Sequence, residues 1–288
     1  MRALKLAGVI ACAFTFATTA TAEPKKIWEL DGFKNPESAV VIDGIIYVSN
    51  VDGGADAKDG KGSISQVSLD GKMIKAEWVS GLESPKGLAV HNGRLFAADI
   101  DQLVEIDVAA GKIAKRYPAK GAKFLNDVAA GPDGHIYVSD MLTDTIWRLA
   151  DGKFEAWVQS ADLKFPNGVT VQDGKVLVAA WGKIDGEGFA TSVPGHVIAI
   201  SIADKSITAV GNNTPIGNLD GIERKGGSNY LLTDWINGGL FTFDAATGKA
   251  VKVLPLASGS ADIGFVPSTR MVIIPMMKDN RVLAYTLD

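Results

Sequence analysis

Sulfur and imidazole are scarce: the chain has one cysteine and three histidines in 288 residues. Cys12 falls within an N-terminal targeting segment, so the chain beyond it has no thiol for catalysis and no disulfide to stabilise it. Zinc draws on His and Cys, and the histidines give it little: His91, His135 and His196 fall at a turn, a strand start and another strand, and read as structural. Positive charge is also thin. No cluster of Lys or Arg stands out, and 29 basic residues face 33 acidic ones, which argues against a phosphate-backbone partner. Finally, no apolar stretch reaches the ~20 residues of a spanning helix, so no membrane span is expected.

The N-terminal segment has its own signature. Arg2 and Lys5 form a basic start, residues 6–18 are mostly apolar, and Ala20-Thr21-Ala22 is an A-x-A cleavage signal before Glu23. The expectation is an exported protein, periplasmic or secreted, whose mature chain of residues 23–288 forms one domain. Removing Arg2 and Lys5 leaves 27 basic against 33 acidic residues. The 47% apolar content is ample for a core.

What is abundant is repetition. Six segments align: NPESAVVIDGIIYVSN (35–50), SPKGLAVHNGRLFAAD (84–99), FLNDVAAGPDGHIYVSD (124–140), FPNGVTVQDGKVLVAAW (165–181), NLDGIERKGGSNYLLTD (218–234) and SADIGFVPSTRMVIIPM (260–276). Spacing of this order marks a propeller. Asp43-Gly44, Asn92-Gly93, Pro132-Asp133-Gly134 and Asp173-Gly174 are turn residues tolerant of positive φ, as hairpins between antiparallel strands require. Further runs, SISQVSL into KMIKAEWV and GLFTFD into KAVKVLPL, supply third and fourth strands. RVLAYTL (281–287) ends the last unit one strand short, while KKIWEL (25–30) precedes the first without a partner. The sequence therefore predicts an all-β, six-bladed propeller closed by its N-terminal strand, which removes exposed edges.

In a propeller the first strand of each blade lines the tunnel. The matched positions at its N-terminal end read Glu37, Lys86, Asn126, Asn167, Asp220 and Asp262. One reading is a solvated tunnel mouth. The other is a cation site, because four oxygen donors at one register suit a hard ion such as Ca²⁺, and convergent carboxylates repel one another without one. The insertions at 50–62 and 181–195 both follow second strands, emerge on the same face and are expected to wall the site; Trp181 and Trp235 lie near it.

Pro36-Glu37-Ser38, Leu125-Asn126-Asp127, Pro166-Asn167-Gly168-Val169 and Leu219-Asp220-Gly221-Ile222, with strand endings such as YVSD (137–140) and LLTD (231–234), resemble the SMP-30/gluconolactonase family of calcium-dependent six-bladed propellers, related in architecture to paraoxonase and diisopropylfluorophosphatase. The resemblance spans residues 23–288. It implies a calcium site on Glu37, Asn126, Asn167 and Asp220, and hydrolysis of lactones or related esters by a monomer acting on a small molecule. Asp220 would be the base or nucleophile, with Glu37 the second choice, and Lys86, Trp181 and Asp262 would contact substrate. The arginine that many sugar-lactonase members carry before the Asn-Asp pair is missing: Lys123-Phe124-Leu125 stands there. A non-catalytic propeller binding a ligand or protein on the same face is the alternative.

Overall fold

The computed structural model describes residues 23–287; the targeting segment expected from the sequence, with Cys12, lies outside the described residues. Six four-stranded antiparallel sheets are arranged as blades, and each inner strand packs against the inner strands beside it. The inner strands run Pro36–Ile42, Pro85–His91, Leu125–Ala130, Pro166–Gln172, Leu219–Gly226 and Gly264–Val266. The first and last of these pack together and close the ring.

Closure uses the two chain ends as the sequence predicts. Lys25–Asp31 pairs antiparallel with Arg281–Thr286, so the N-terminal strand is the outer strand of blade six. The hairpin turns also follow their chemistry. Asp43 and Gly44 both have positive φ, as do Asn92 with Gly93 and Asp173 with Gly174, the geometry that lets two residues join twisted strands.

Burial follows the two-residue period of a strand. In blade one, Ile46 and Val48 face blade six and the alternate residue Tyr47 faces blade two. Repeated around the ring, this produces six apolar clusters, each shared by two neighbouring blades. A seventh cluster is built differently. Phe124, Met141 and Trp181 gather Ala55, Phe165, Ile184, Phe189, Trp235 and Ile236 over one end of the tunnel.

Both insertions reach that end. The first contributes Ala55 to the cluster, and the second folds as a small hairpin, Gly182–Ile184 with Thr191–Pro194. Among the described residues, no helix is long and apolar enough to cross a membrane.

Candidate metal centre at the tunnel mouth

The side chains at the mouth are placed by a local irregularity that five blades share. In each, two residues of the inner strand stand opposite one of its partner, between Pro36 and Ala39, Pro85 and Leu88, Leu125 and Val128, Pro166 and Val169, and Leu219 and Ile222. An extra residue of this kind re-aims a side chain out of the ladder. The residues inside these bulges include Glu37, Lys86, Asn126, Asn167 and Asp220.

The repeated strand endings hold the bulges in register. Asp140 accepts from the backbone N–H groups of Lys123 and Phe124, both at 3.0 Å, just before Asn126. Asp99 does the same for Glu83 and Ser84 before Lys86, and Asn50 accepts from Lys34 N at 3.1 Å before Glu37. The adjoining hydroxyls tie blades together. Ser139 Oγ accepts from Asp127 N and donates to Asn167 O at 2.6 Å; Thr233 Oγ1 accepts from Gly221 N and donates to Ala261 O.

Close approach of the inner strands explains the residues that follow the ring. A Cβ on Gly168 would lie 2.1 Å from the carbonyl oxygen of Asp220, so only glycine fits. Asp127 is one layer in from the mouth, and both its carboxylate oxygens are taken, by Val128 N at 2.7 Å and Val169 N at 2.6 Å. It staples blade three to blade four.

Glu37, Lys86, Asn126, Asn167 and Asp220 form the floor of one cavity of about 160 Å³, walled by Ala55, Phe124, Met141, Trp181, Phe189, Trp235 and Met277. Glu37, Asn126, Asn167 and Asp220 are all 5% exposed or less. Buried polar atoms are almost always hydrogen-bonded. Yet Glu37 Oε2, Asn126 Oδ1, Asn167 Oδ1 and Asp220 Oδ1 have no partner, and they are the only buried side-chain oxygens among the described residues in that condition. Burial first, then the charges of Asp220, Asp262 and Asp127, pushes the Glu37 carboxyl well above its ordinary range; burial and then Asp262 do the same to Asp220. Two carboxylates and two amide oxygens, all unsatisfied, are the donor set of a hard cation such as Ca²⁺. No group of three or more His, Cys, Asp or Glu capable of holding a metal occurs among the described residues, so a cation held here would need the two amide oxygens as well.

Lys86 reaches the cavity but its ammonium is committed. Nζ donates to Ala55 O at 2.7 Å, Ser84 O at 3.0 Å and Ser84 Oγ at 3.2 Å, and sits 4.5 Å from the centre of the Phe124 ring. It tethers the first insertion. Burial brings its pKa down to about 8 against the opposing pull of Glu37. Asp262 does not line the cavity: its carboxylate accepts from Ser38 Oγ at 2.5 Å, level with the residue after Glu37. Trp181 does line it, with Nε1 donating to Phe189 O at 2.9 Å and its ring 5.9 Å from that of Trp235. His196 lies in a separate depression with Lys164 and Lys183.

Four wall residues have a common origin that alignment of the repeats could have revealed. Met141, Trp181, Trp235 and Met277 each directly follow the second strand of their blade, and Val51 and Ile100 hold the same place in blades one and two. All six are apolar.

Fold and site together define a six-bladed propeller with a candidate cation centre in its mouth. No protein-family model matches the sequence, and no curated protein does. Solved structures do: a gluconolactonase from Xanthomonas campestris has a TM-score of 0.67 at 15% identity over 93% of this chain and 95% of its own. Virginiamycin B lyase from Staphylococcus aureus has a TM-score of 0.63 at 15% identity, covering 91% of this chain and 99% of that one. A catalytically inactive histidine-to-alanine variant of that lyase with quinupristin has a TM-score of 0.57 at 16% identity, over 91% and 99%. At such identities the likeness is one of fold.

Proposed function

We propose that the protein is an exported hydrolase of lactones or related esters that uses a divalent cation, calcium by the nature of its donors. The observation that carries this reading is the set of four orphan oxygens on Glu37, Asn126, Asn167 and Asp220. Bound there, a hard dication would polarise a carbonyl and stabilise the oxyanion that develops on it.

The chain's own residues do the rest. Asp220 accepts a proton from water as its oxygen adds to the acyl carbon, and returns that proton to the alkoxide as the ester C–O bond breaks, leaving a hydroxy acid. The aromatic wall excludes bulk water, and Lys86 keeps the first insertion in place across the mouth. The gluconolactonase neighbour supports ester chemistry on this fold. The lyase neighbour loses activity without a histidine, and no histidine lines this cavity, which favours hydrolysis over a lyase reaction.

The test is hydrolysis of lactones and aryl esters by the protein starting at Glu23, before and after chelation and calcium return, with calcium binding followed by calorimetry. Turnover should vanish with chelator, return with calcium, and fall by about 10²–10⁴-fold in Asp220→Asn. Calcium binding with no turnover across the panel would refute the hydrolase and point to a ligand-binding propeller. An N-terminus at Glu23 on the exported protein would support cleavage of residues 1–22.

A further inference from the structure

We infer that the substrate carries an apolar group beside its ester and is not a polyhydroxylated sugar lactone. This rests on the hydrolase reading of the same cavity. Above the floor, the cavity is bounded by Phe124, Met141, Trp181, Phe189, Trp235 and Met277, with the small Ala55 beside them. Three of the polar nitrogens around it are already engaged. Lys86 Nζ has three acceptors, Trp181 Nε1 donates to Phe189 O, and Asn126 Nδ2 contacts Met141 Sδ at 3.8 Å. The four free oxygens are all on the floor, where the cation would use them.

A sugar lactone would bring several hydroxyls against this wall and leave them without partners, which is penalised for each group buried. An alkyl or aryl substituent meets the opposite situation. The space of about 160 Å³ is comparable with an engineered apolar cavity of about 150 Å³ that takes up benzene, and two indoles line it.

The experiment has two arms. In the first, kcat/KM is measured for δ-valerolactone, a pentyl-substituted δ-lactone and gluconolactone with calcium present. The substituted lactone should exceed gluconolactone by about 100-fold or more; equal rates, or a preference for gluconolactone, would overturn the substrate class and leave hydrolysis standing. In the second, a non-hydrolysable pentyl cyclohexanone is titrated into the calcium-loaded protein and tryptophan fluorescence is read. Saturable quenching should weaken by roughly 10-fold in Trp235→Gln, with circular dichroism checking that the variant is folded. Ketone binding with no hydrolysis of any lactone would support the apolar ligand and sink the hydrolase. Neither binding nor hydrolysis of the apolar compounds would overturn this inference.

Discussion

The cation-free protein should become less stable as pH rises, the reverse of the usual behaviour of paired carboxylates. Asp262 shows why. It is 6% exposed, and burial raises its pKa to about 6 from the ordinary 3.8, although Ser38 Oγ pulls it down. Because the folded value exceeds the unfolded one, the native state holds more protons between them, and stability present below pH 4 is lost as pH climbs through about 6. Each unit is worth ~1.4 kcal/mol, so this one residue accounts for about 3 kcal/mol. Glu37, Asp127 and Asp220 are displaced in the same direction by burial. Urea midpoints at about pH 4.5, 6 and 7.5, on protein stripped over a chelating resin, measure the slope directly. Asp262→Asn keeps an oxygen for Ser38 and should recover about 3 kcal/mol of the loss by pH 7.5. Calcium should flatten the wild-type curve, because Glu37 and Asp220 then ionise against a counter-charge. A wild-type profile that is flat or rising over this range, or an Asp262→Asn profile parallel to it, would refute the reasoning.

Three further outcomes follow from the packing around the mouth. Asp127→Ala leaves the buried amides of Val128 and Val169 without acceptors and should cost about 2–4 kcal/mol, with Asp127→Asn in between, by denaturant titration. Gly168→Ala drives a methyl into Asp220 O; a loss of about 3 kcal/mol or more in thermal melts, with weakened calcium binding, is expected. Lys86→Met keeps the apolar stem but releases Ala55 and Ser84, so limited proteolysis within residues 51–61 should accelerate several-fold. Calcium affinity should rise roughly threefold in the same variant once a nearby positive charge is gone.

The architecture was legible because a propeller writes its period into the chain. Turn pairs such as Asp43-Gly44 announce hairpins, and the unpartnered strands at either end announce the closure that Lys25–Asp31 and Arg281–Thr286 make. The ring of polar tips was legible for the same reason: position-matching six repeats locates Glu37, Asn126, Asn167 and Asp220 without knowledge of three-dimensional contacts. What was not legible is the bulge that turns these side chains into the mouth, since two residues opposite one leave no mark on composition or alternation. The fate of Lys86 and Asp262 was hidden too. Lys86 occupies a ring position but is captured by the carbonyl of Ala55, far off in the chain, together with its near neighbour Ser84, whereas the bridge from Ser260 to Met276 puts Ala261 at the ring position of blade six and leaves Asp262 one layer in, bonded to Ser38. The apolar wall could have been read. Its core is the single residue after the second strand in blades three to six: Trp181 ends the fourth aligned segment, and Met141, Trp235 and Met277 lie one step beyond theirs.

These captures explain why a six-fold scaffold presents a lopsided site. A ring of six equivalent donors would surround the tunnel axis and crowd charge without a preferred direction. Here Lys86 is drawn toward Ala55 and Ser84, and blade six puts Ala261 at the ring position with Asp262 one layer in on Ser38, so the free oxygens come only from blades one, three, four and five. Blade two instead brings a cation near Glu37, which limits the repulsion that this carboxylate suffers from Asp220. The wall is uneven in the same sense, with its large side chains following the second strands of blades three to six, while Val51 and Ile100 at that place in blades one and two do not line the cavity. The apolar bulk thus stands over the blades that hold Asn126, Asn167 and Asp220. Under the hydrolase proposed above, a substrate that seats its apolar group there would present its ester to the side of the floor that holds Asn126, Asn167 and Asp220, so the asymmetry of the repeats would orient the reaction.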